Sequence, residues 1–253
     1  MIYKLDHIGI TTPSLEDARA QLEAGHPCFH TQFGMETGSA LREVSIHRPA
    51  RFSISLHRKP NSISIELIEY GKVEPLPGSI LPWFFPSDGL KDGLPALKSV
   101  LRTNIERTQE KSRIVDALEQ LSVHGAFNAI AIAVEDLESE EAFWTALRFH
   151  RIAADDEIAV LALTSLMPPA ETHYIFLLKT GYATERYTDA EGVNEIALLC
   201  SSCQASLDSF RQGVSRTGAS VFAIGGKEIS LGYLRSPSGV LAELFSVKIP
   251  AAN

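Results

Sequence analysis

The chain has 253 residues, 45% hydrophobic and 21% charged, which is the composition of a globular protein with a substantial core. A formal net charge of -8 argues against nucleic acid or an anionic membrane as partner and leaves a small molecule or a protein. No run of about eighteen apolar residues suggests a membrane span, the N-terminus shows no signal-peptide pattern, and three cysteines make no disulfide framework, so a reducing, cytoplasmic setting is expected.

In chain order, the first element is a strand over Leu5–Thr11. Its alternation puts Ile8 and Ile10 on one face and His7 and Gly9 on the other. Ser14, with Asp17 three residues on, reads as a helix start, and Leu15, Ala18 and Leu22 line one helical face. The helix is therefore expected over the Ile8/Ile10 side, leaving His7 on the bare side of the sheet. Gly25-His26-Pro27 stops the helix. Phe29–Met35 has room for a short strand, Glu43–His47 and Phe52–His57 alternate well enough to be strands, and Lys59-Pro60-Asn61 turns the chain into a closing strand around Glu66. Residues 1–72 thus read as a β-α-β-β-β module.

Residues 73–122 break the pattern with Pro and Gly punctuation, an aromatic cluster at Trp83, Phe84 and Phe85, and helical spacing at Leu97, Val100, Ile105, Ile114 and Leu118. This segment reads as a connector with one or two helices. The aromatic cluster either packs on a neighbouring sheet or forms a lid.

The opening pattern then returns twice. Phe127–Leu137 leads into Ala142, Phe143 and Leu147; Val193–Leu199 leads into Leu207, Phe210 and Val214. Superposed on apolar alternation, Ala129 and Glu195 fall where His7 sits. The closing strands put Glu66, Phe176 and Glu243 in one register. The second unit, with strands near Ile158–Leu163 and Tyr174–Leu178 joined through Met167-Pro168-Pro169, has a small, apolar bare face and is expected to shape a pocket without supplying chemistry. The third carries a strand near Ser220–Ile224, a Gly225-Gly226 turn and a hairpin on Arg235-Ser236-Pro237-Ser238-Gly239. The fold class expected is α+β, with repeated modules forming open, cup-shaped mixed sheets.

A carboxylate at Glu66, on a strand otherwise made of Ile and Leu, is costly to bury without a cation, a metal or a proton. Cys200-Ser201-Ser202-Cys203 matches C-x-x-C but has no second pair; it follows a strand rather than opening a helix, and is read as ordinary buried thiols. His30, His47 and His57 are within reach of the first module's cup, with His57 read as a solvated strand end. No Walker motif, dinucleotide fingerprint or nucleophile elbow is present.

Asp6-His7-Ile8-Gly9-Ile10 before a Leu-led helix, Ile65-Glu66-Leu67-Ile68-Glu69, and Arg235-x-Pro-x-Gly before Ala242-Glu243-Leu244 resemble the vicinal oxygen chelate superfamily of glyoxalases, bleomycin-resistance proteins and extradiol dioxygenases. The resemblance implies paired modules around a divalent metal, held by a first-strand His and a last-strand Glu or Gln of each module. Carried over, it implies His7, Glu66 and Glu243, with Glu195 replacing the usual His, and neither ligand in the second module, where Ala129 and Phe176 stand. By adjacency, the second and third modules would pair as one glyoxalase-like domain over 123–248, leaving the first to a partner subunit, as in a homodimer. Pairing of the first and third instead would bring His7, Glu66, Glu195 and Glu243 together.

One His in register argues against an oxygen-activating iron site, which takes two. One His with carboxylates suits Mn, Mg, Zn or Ni as a Lewis acid. The resemblance then implies a lyase or isomerase acting on a small oxygen-rich molecule through an enolate-like state, with Glu66 or Glu243 moving the proton. Two other readings are a metal-free, drug-sequestering binding protein and a metal-free tailoring enzyme with Glu195 or Glu243 as base.

Overall fold

A computed structural model describes residues 1–23, 25–76, 80–83, 85, 93–110, 127–181, 185–210, 214–224 and 226–248. The first module comprises β1 (Ile2–Thr11), α1 (Leu15–Leu22), β2 (Cys28–Glu36), a short α2 (Ser39–Glu43), β3 (Arg51–His57) and β4 (Ser64–Glu69). The connector contributes β5 (Ile80–Trp83) and α3 (Gly93–Glu110). The second module is β6 (Ala129–Val134), α4 (Leu137–Ala146), β7 (His150–Ala154), β8 (Ile158–Thr164) and β9 (Thr172–Lys179). The third is β10 (Gly192–Cys200), α5 (Cys203–Ser209), β11 (Ser215–Arg216), β12 (Ser220–Ile224), β13 (Lys227–Arg235) and β14 (Leu241–Lys248).

The alternation in β1 places its residues as expected. Ile8 and Ile10 are fully buried beside Leu15, Ala18 and Leu22 of α1, and Ser14 caps that helix by accepting from the Asp17 amide at 3.2 Å. Glu43–His47 is not a strand. Asp189 accepts hydrogen bonds from the Ile46 and His47 amides at 2.7 Å each, so those donors go to a carboxylate and not to a neighbouring strand.

The expected pairing of the second and third modules over 123–248 is replaced by another. β1 runs antiparallel to β10 at the centre of one nine-stranded sheet, in the order β11-β13-β14-β10-β1-β4-β3-β2, with β12 on β13. Both modules of one cup therefore lie in the same chain. The second module forms a separate sheet, β5-β6-β9-β8-β7. Its first strand has no edge left for β10, because β5 pairs antiparallel with β6, from Ile80 opposite Ile132 to Trp83 opposite Ala129.

The connector also fills the second module's bare face. Leu81, Phe85, Leu101 and Ile105 pack on Ala129, Ala131, Ala133 and Phe176 in one apolar cluster, and the Phe85 ring meets those of Tyr174 and Phe176 at 4.9 Å each. The pocket expected there is therefore a closed core, and Phe85 is sheet packing and no lid. Phe84, Ile114, Leu118, Gly225 and the Trp83 side chain lie outside the described residues. Val100 is exposed, and α3 buries Leu101 and Ile105.

The helix-covered faces of both sheets share one core, running from Ile8 and Leu67 through Trp144 and Leu177 to Leu244. Within it Glu140 of α4 accepts from Trp144 Nε1 at 2.9 Å and from the Ser238 amide at 2.8 Å, tying the second module to the β13–β14 turn. Cys203 opens α5, so the C-x-x-C does sit at a helix start. Its two cysteines are nonetheless unbonded, buried thiols donating to the Phe245 and Leu244 carbonyls. Among the described residues no helix is long and apolar enough to cross a membrane.

Candidate active site

The parallel strand pairs repeat one offset. Gly9 lies opposite Glu66, Ala131 opposite Phe176 and Ala197 opposite Glu243. His7, Ala129 and Glu195 each stand two residues before those first-strand positions, on the same face. Because β1 and β10 are antiparallel, His7 faces Ala197 and Gly9 faces Glu195. The two modules thus interleave around a local two-fold, and His7, Glu66, Glu195 and Glu243 all line one cavity of about 110 Å³.

The cup is closed on its far side where the Ala40 amide donates to Ser220 Oγ at 2.9 Å and Gln32 Nε2 to the Ala223 carbonyl at 3.3 Å. Phe52, Ile54, Phe222, Leu231 and Phe245 are among its apolar walls. The polar groups gather at the floor. One donor atom from each of His7, Glu66 and Glu243 falls within 4.8 Å of the others, and His7 Nε2 is 3.3 Å from a Glu66 oxygen. The His7 ring also packs on Phe245, with centroids 5.4 Å apart.

Two residues at this floor were not singled out from the sequence. Asp6 Oδ2 is 3.1 Å from His7 Nδ1, and its other oxygen is 2.5 Å from Lys4 Nζ. Strict alternation sends neighbours to opposite faces, but the β1–β10 register slips between Leu5 and His7. This bulge at Asp6 turns two consecutive polar side chains toward the cup. Tyr233 lies directly opposite Glu243 across the β13–β14 hairpin, and its hydroxyl donates to Glu243 Oε2 at 3.3 Å. The signal for Tyr233 was available: Arg235-x-Pro-x-Gly sets the hairpin register, and residues opposite one another share a face. His30, His47 and His57 do not line the cup. His57 is fully buried, its Nδ1 2.9 Å from the His26 carbonyl oxygen, and His47 pairs with Glu74.

Burial dominates the electrostatics. It opposes the His7 charge, but Asp6, Glu66 and Glu243 outweigh it and raise the His7 pKa well above the usual imidazole range. Burial also works to raise Asp6, yet contact with His7 and Lys4 holds its carboxyl well below the ordinary range. Glu243 is pushed up by burial, pulled back by His7 and pushed up again by Glu66, reaching about 7. Glu195 is raised well above the carboxylate range by burial, then by Glu243 and Glu66. Burial likewise keeps the Tyr70 and Tyr233 phenols protonated.

Glu195 has both oxygens buried without a hydrogen-bond partner, and it sits on Gly9 so tightly that a Cβ there would lie 2.3 Å from Glu195 Cγ and Oε1. Gly9→Ala is expected to displace that carboxylate and lower stability by about 1–3 kcal/mol, an overpacking cost. Urea unfolding reads this directly, and an unshifted midpoint would contradict the packing of Glu195 on the Gly9 backbone.

The residues present fit a divalent cation. The buried carboxylates of Glu195 and Glu243 and the half-buried one of Glu66 face one imidazole, Glu195 has orphaned oxygens, and Asp6 orients the histidine through Nδ1, the arrangement typical of a metal-ligating His. His7 is the only histidine lining the cup among the described residues, so the two-His-one-carboxylate iron set is not assembled here.

Two β-α-β-β-β modules joined along their first strands, with ligand-type side chains on the shared bare face, define the vicinal oxygen chelate fold, and this chain has it. Among solved structures it is similar to two crystal structures of glyoxalase I mutants from Zea mays. One is 10% identical over 96% of this chain and 92% of the other, with a TM-score of 0.54; the second is 11% identical over 96% and 93%, with a TM-score of 0.50. No protein-family model matches the sequence, and no curated protein does.

Proposed function

We propose that this chain is a divalent-metal-dependent, glyoxalase-like lyase or isomerase acting on a small oxygen-bearing molecule. The observation that carries the proposal is the convergence of His7, Glu66 and Glu243 beside the orphaned Glu195 carboxylate at the floor of an apolar cup. His7, Glu66 and Glu243, whose ligand atoms converge, would hold the cation, with Glu195 beside them in the cup, and Mn, Mg, Zn or Ni suits one imidazole with several carboxylates. When bound, such a cation supplies Lewis acidity that stabilises negative charge on substrate oxygens beside a carbon losing its proton.

The chain's own groups supply the rest. Glu243, whose carboxylate reaches the floor of the cup beside Glu66 and His7, is placed to take and return a proton. Glu66 occupies the equivalent position across the local two-fold and serves the opposite side of the cup. Tyr233 donates to Glu243 and so holds its orientation. Asp6 fixes His7 with Nε2 toward the floor, and the walls exclude water from the transfer.

A second reading is favoured by His7 lying between Asp6 and Glu66, an ion-pair arrangement that compensates the imidazole charge without a metal. In it the cup sequesters an apolar ligand and does no chemistry. Elemental analysis of protein purified without a His tag separates the two. The metalloenzyme reading expects about one divalent ion per chain. Metal-free protein whose thermal midpoint is unmoved by added Mn²⁺, Zn²⁺, Ni²⁺ or Mg²⁺ would leave only the metal-free readings, binding protein or tailoring enzyme.

A further inference from the structure

A second cavity, of about 340 Å³, opens beside the cup. It is a seam between modules: Lys4, Arg58, Lys59 and Ser64 come from the first, Glu171 and His173 from the second. Asp6, Arg58 and Ser64 line both cavities and form their common wall. At about 110 Å³, the cup is smaller than the roughly 300–1,000 Å³ of pockets that enclose a whole small molecule. Cup and seam together fall within that range.

The two compartments differ in character. The cup is walled by Phe52, Ile54 and Phe245, whereas the seam carries three cations. Lys4 is committed to Asp6. Arg58 and Lys59 pair with no carboxylate among the described residues, although the chain carries a net charge of -8. Arg58 is held at the border, its guanidinium over the Phe29 ring at 5.2 Å and its Nε 3.4 Å from Ser64 Oγ, leaving its terminal N–H groups for a ligand. Of the acids nearby, Asp6 lies between Lys4 and His7, whereas Glu171, 3.9 Å from a His173 that burial holds at a pKa of about 4 and hence neutral, keeps its charge on the wall opposite Arg58 and Lys59. His173 is buried with Nδ1 unpartnered.

The walls are preorganised as well. Ser62 Oγ donates to the Phe127 carbonyl and accepts from the Phe127 amide, at 3.1 and 3.0 Å, which anchors the turn after Arg58. The Leu166 amide donates to the Tyr3 carbonyl at 2.9 Å, pinning the β8–β9 loop against β1.

We propose that the substrate is amphipathic, with an apolar or aromatic skeleton and its reacting oxygens in the cup and an anionic group, carboxylate or phosphate, held in the seam by Arg58 and Lys59. This rests on the cup being the substrate site; it does not require the metal. The second module, which lacks a cup of its own, thereby gains a role as the far wall of the anion site.

The test is calorimetric titration with 3-phenylpropanoate, 2-phenylethyl phosphate and neutral 3-phenylpropanamide, on protein as purified and again after chelation. At least one anion is expected to bind roughly tenfold or more tightly than the amide, as charge-assisted contacts predict. The preferred anion identifies the group. The preference, read as the ratio of anion to amide affinity, should survive chelation and should vanish in the R58E/K59E variant. Loss of the preference on chelation would place the anion at the metal-type floor and overturn the proposal. Persistence in R58E/K59E, or no binding of any probe at millimolar concentration, would overturn it equally. Protein that proves metal-free yet keeps the preference would remove the metalloenzyme reading and leave the anion seam standing.

Discussion

Replacing His7 with alanine is expected, on the proposed metalloenzyme reading, to leave the purified protein without a divalent ion and without turnover. Disturbing an outer partner of a ligating histidine typically costs 10–100-fold in metal affinity, so losing the ligand itself should cost roughly a hundredfold or more. Asp6→Asn is the graded comparison: it keeps the imidazole but removes the charge that orients Nδ1 at 3.1 Å, and a loss of about 10–100-fold is expected. His7→Gln guards against trivial unfolding, since it fills much of the volume against Phe245 without supplying an imidazole. The measurements are elemental analysis, Mn²⁺ titration and circular dichroism on tag-free protein. If His7→Ala and His7→Gln both retain metal and respond to Mn²⁺ like the parent chain, the proposed centre is wrong.

The chelated protein is expected to lose stability as pH rises from about 5 to about 8. Glu243 has a folded pKa raised to about 7 by burial, against roughly 4.3 for an unfolded glutamate. Its contribution is therefore whole below the unfolded value and is lost as pH rises through about 7, an effect on the order of 3 kcal/mol. Glu195, raised further, and His7, raised above the imidazole range, act in the same direction. Asp6 is lowered and acts oppositely: its contribution is present above the unfolded aspartate value and is lost as pH falls into the acid range. Maximum stability without metal should therefore lie on the acid side of neutrality. Glu243→Gln should flatten the decline, because an amide has no charge to desolvate. Added Mn²⁺ should stabilise most at the alkaline end, where its carboxylate ligands are already deprotonated. Urea midpoints in chelator that stay level or climb between those pH values would contradict the burial of these carboxylates.

The sites recognised from sequence and those missed differ by physical cause. His7, Glu66 and Glu243 were recognisable because a period of two assigns each strand residue to a face without knowledge of its neighbours. Asp6 was not, because its orientation depends on a bulge in the pairing of β1 with β10, nearly two hundred residues away in the chain. His57 was read as solvated from its flanking Arg58 and Lys59, yet the His26 carbonyl and Ser55 bury it completely. The Arg58 and Lys59 that misled that reading instead point to the seam.

What the amino-acid sequence determined by itself was local: three modules, the helix-covered and bare face of each, and an offset that aligns His7 with Glu195 and Glu66 with Glu243. What only the tertiary structure decided was which modules share a sheet. Apolar alternation makes the first strands of all three modules nearly equivalent as partners, so strand pattern cannot rank them. The choice falls to the connector, whose β5 takes the edge of β6 and whose Phe85, Leu101 and Ile105 occupy its bare face. With that partner blocked, β10 pairs with β1, and the imidazole and the three carboxylates meet in one cup.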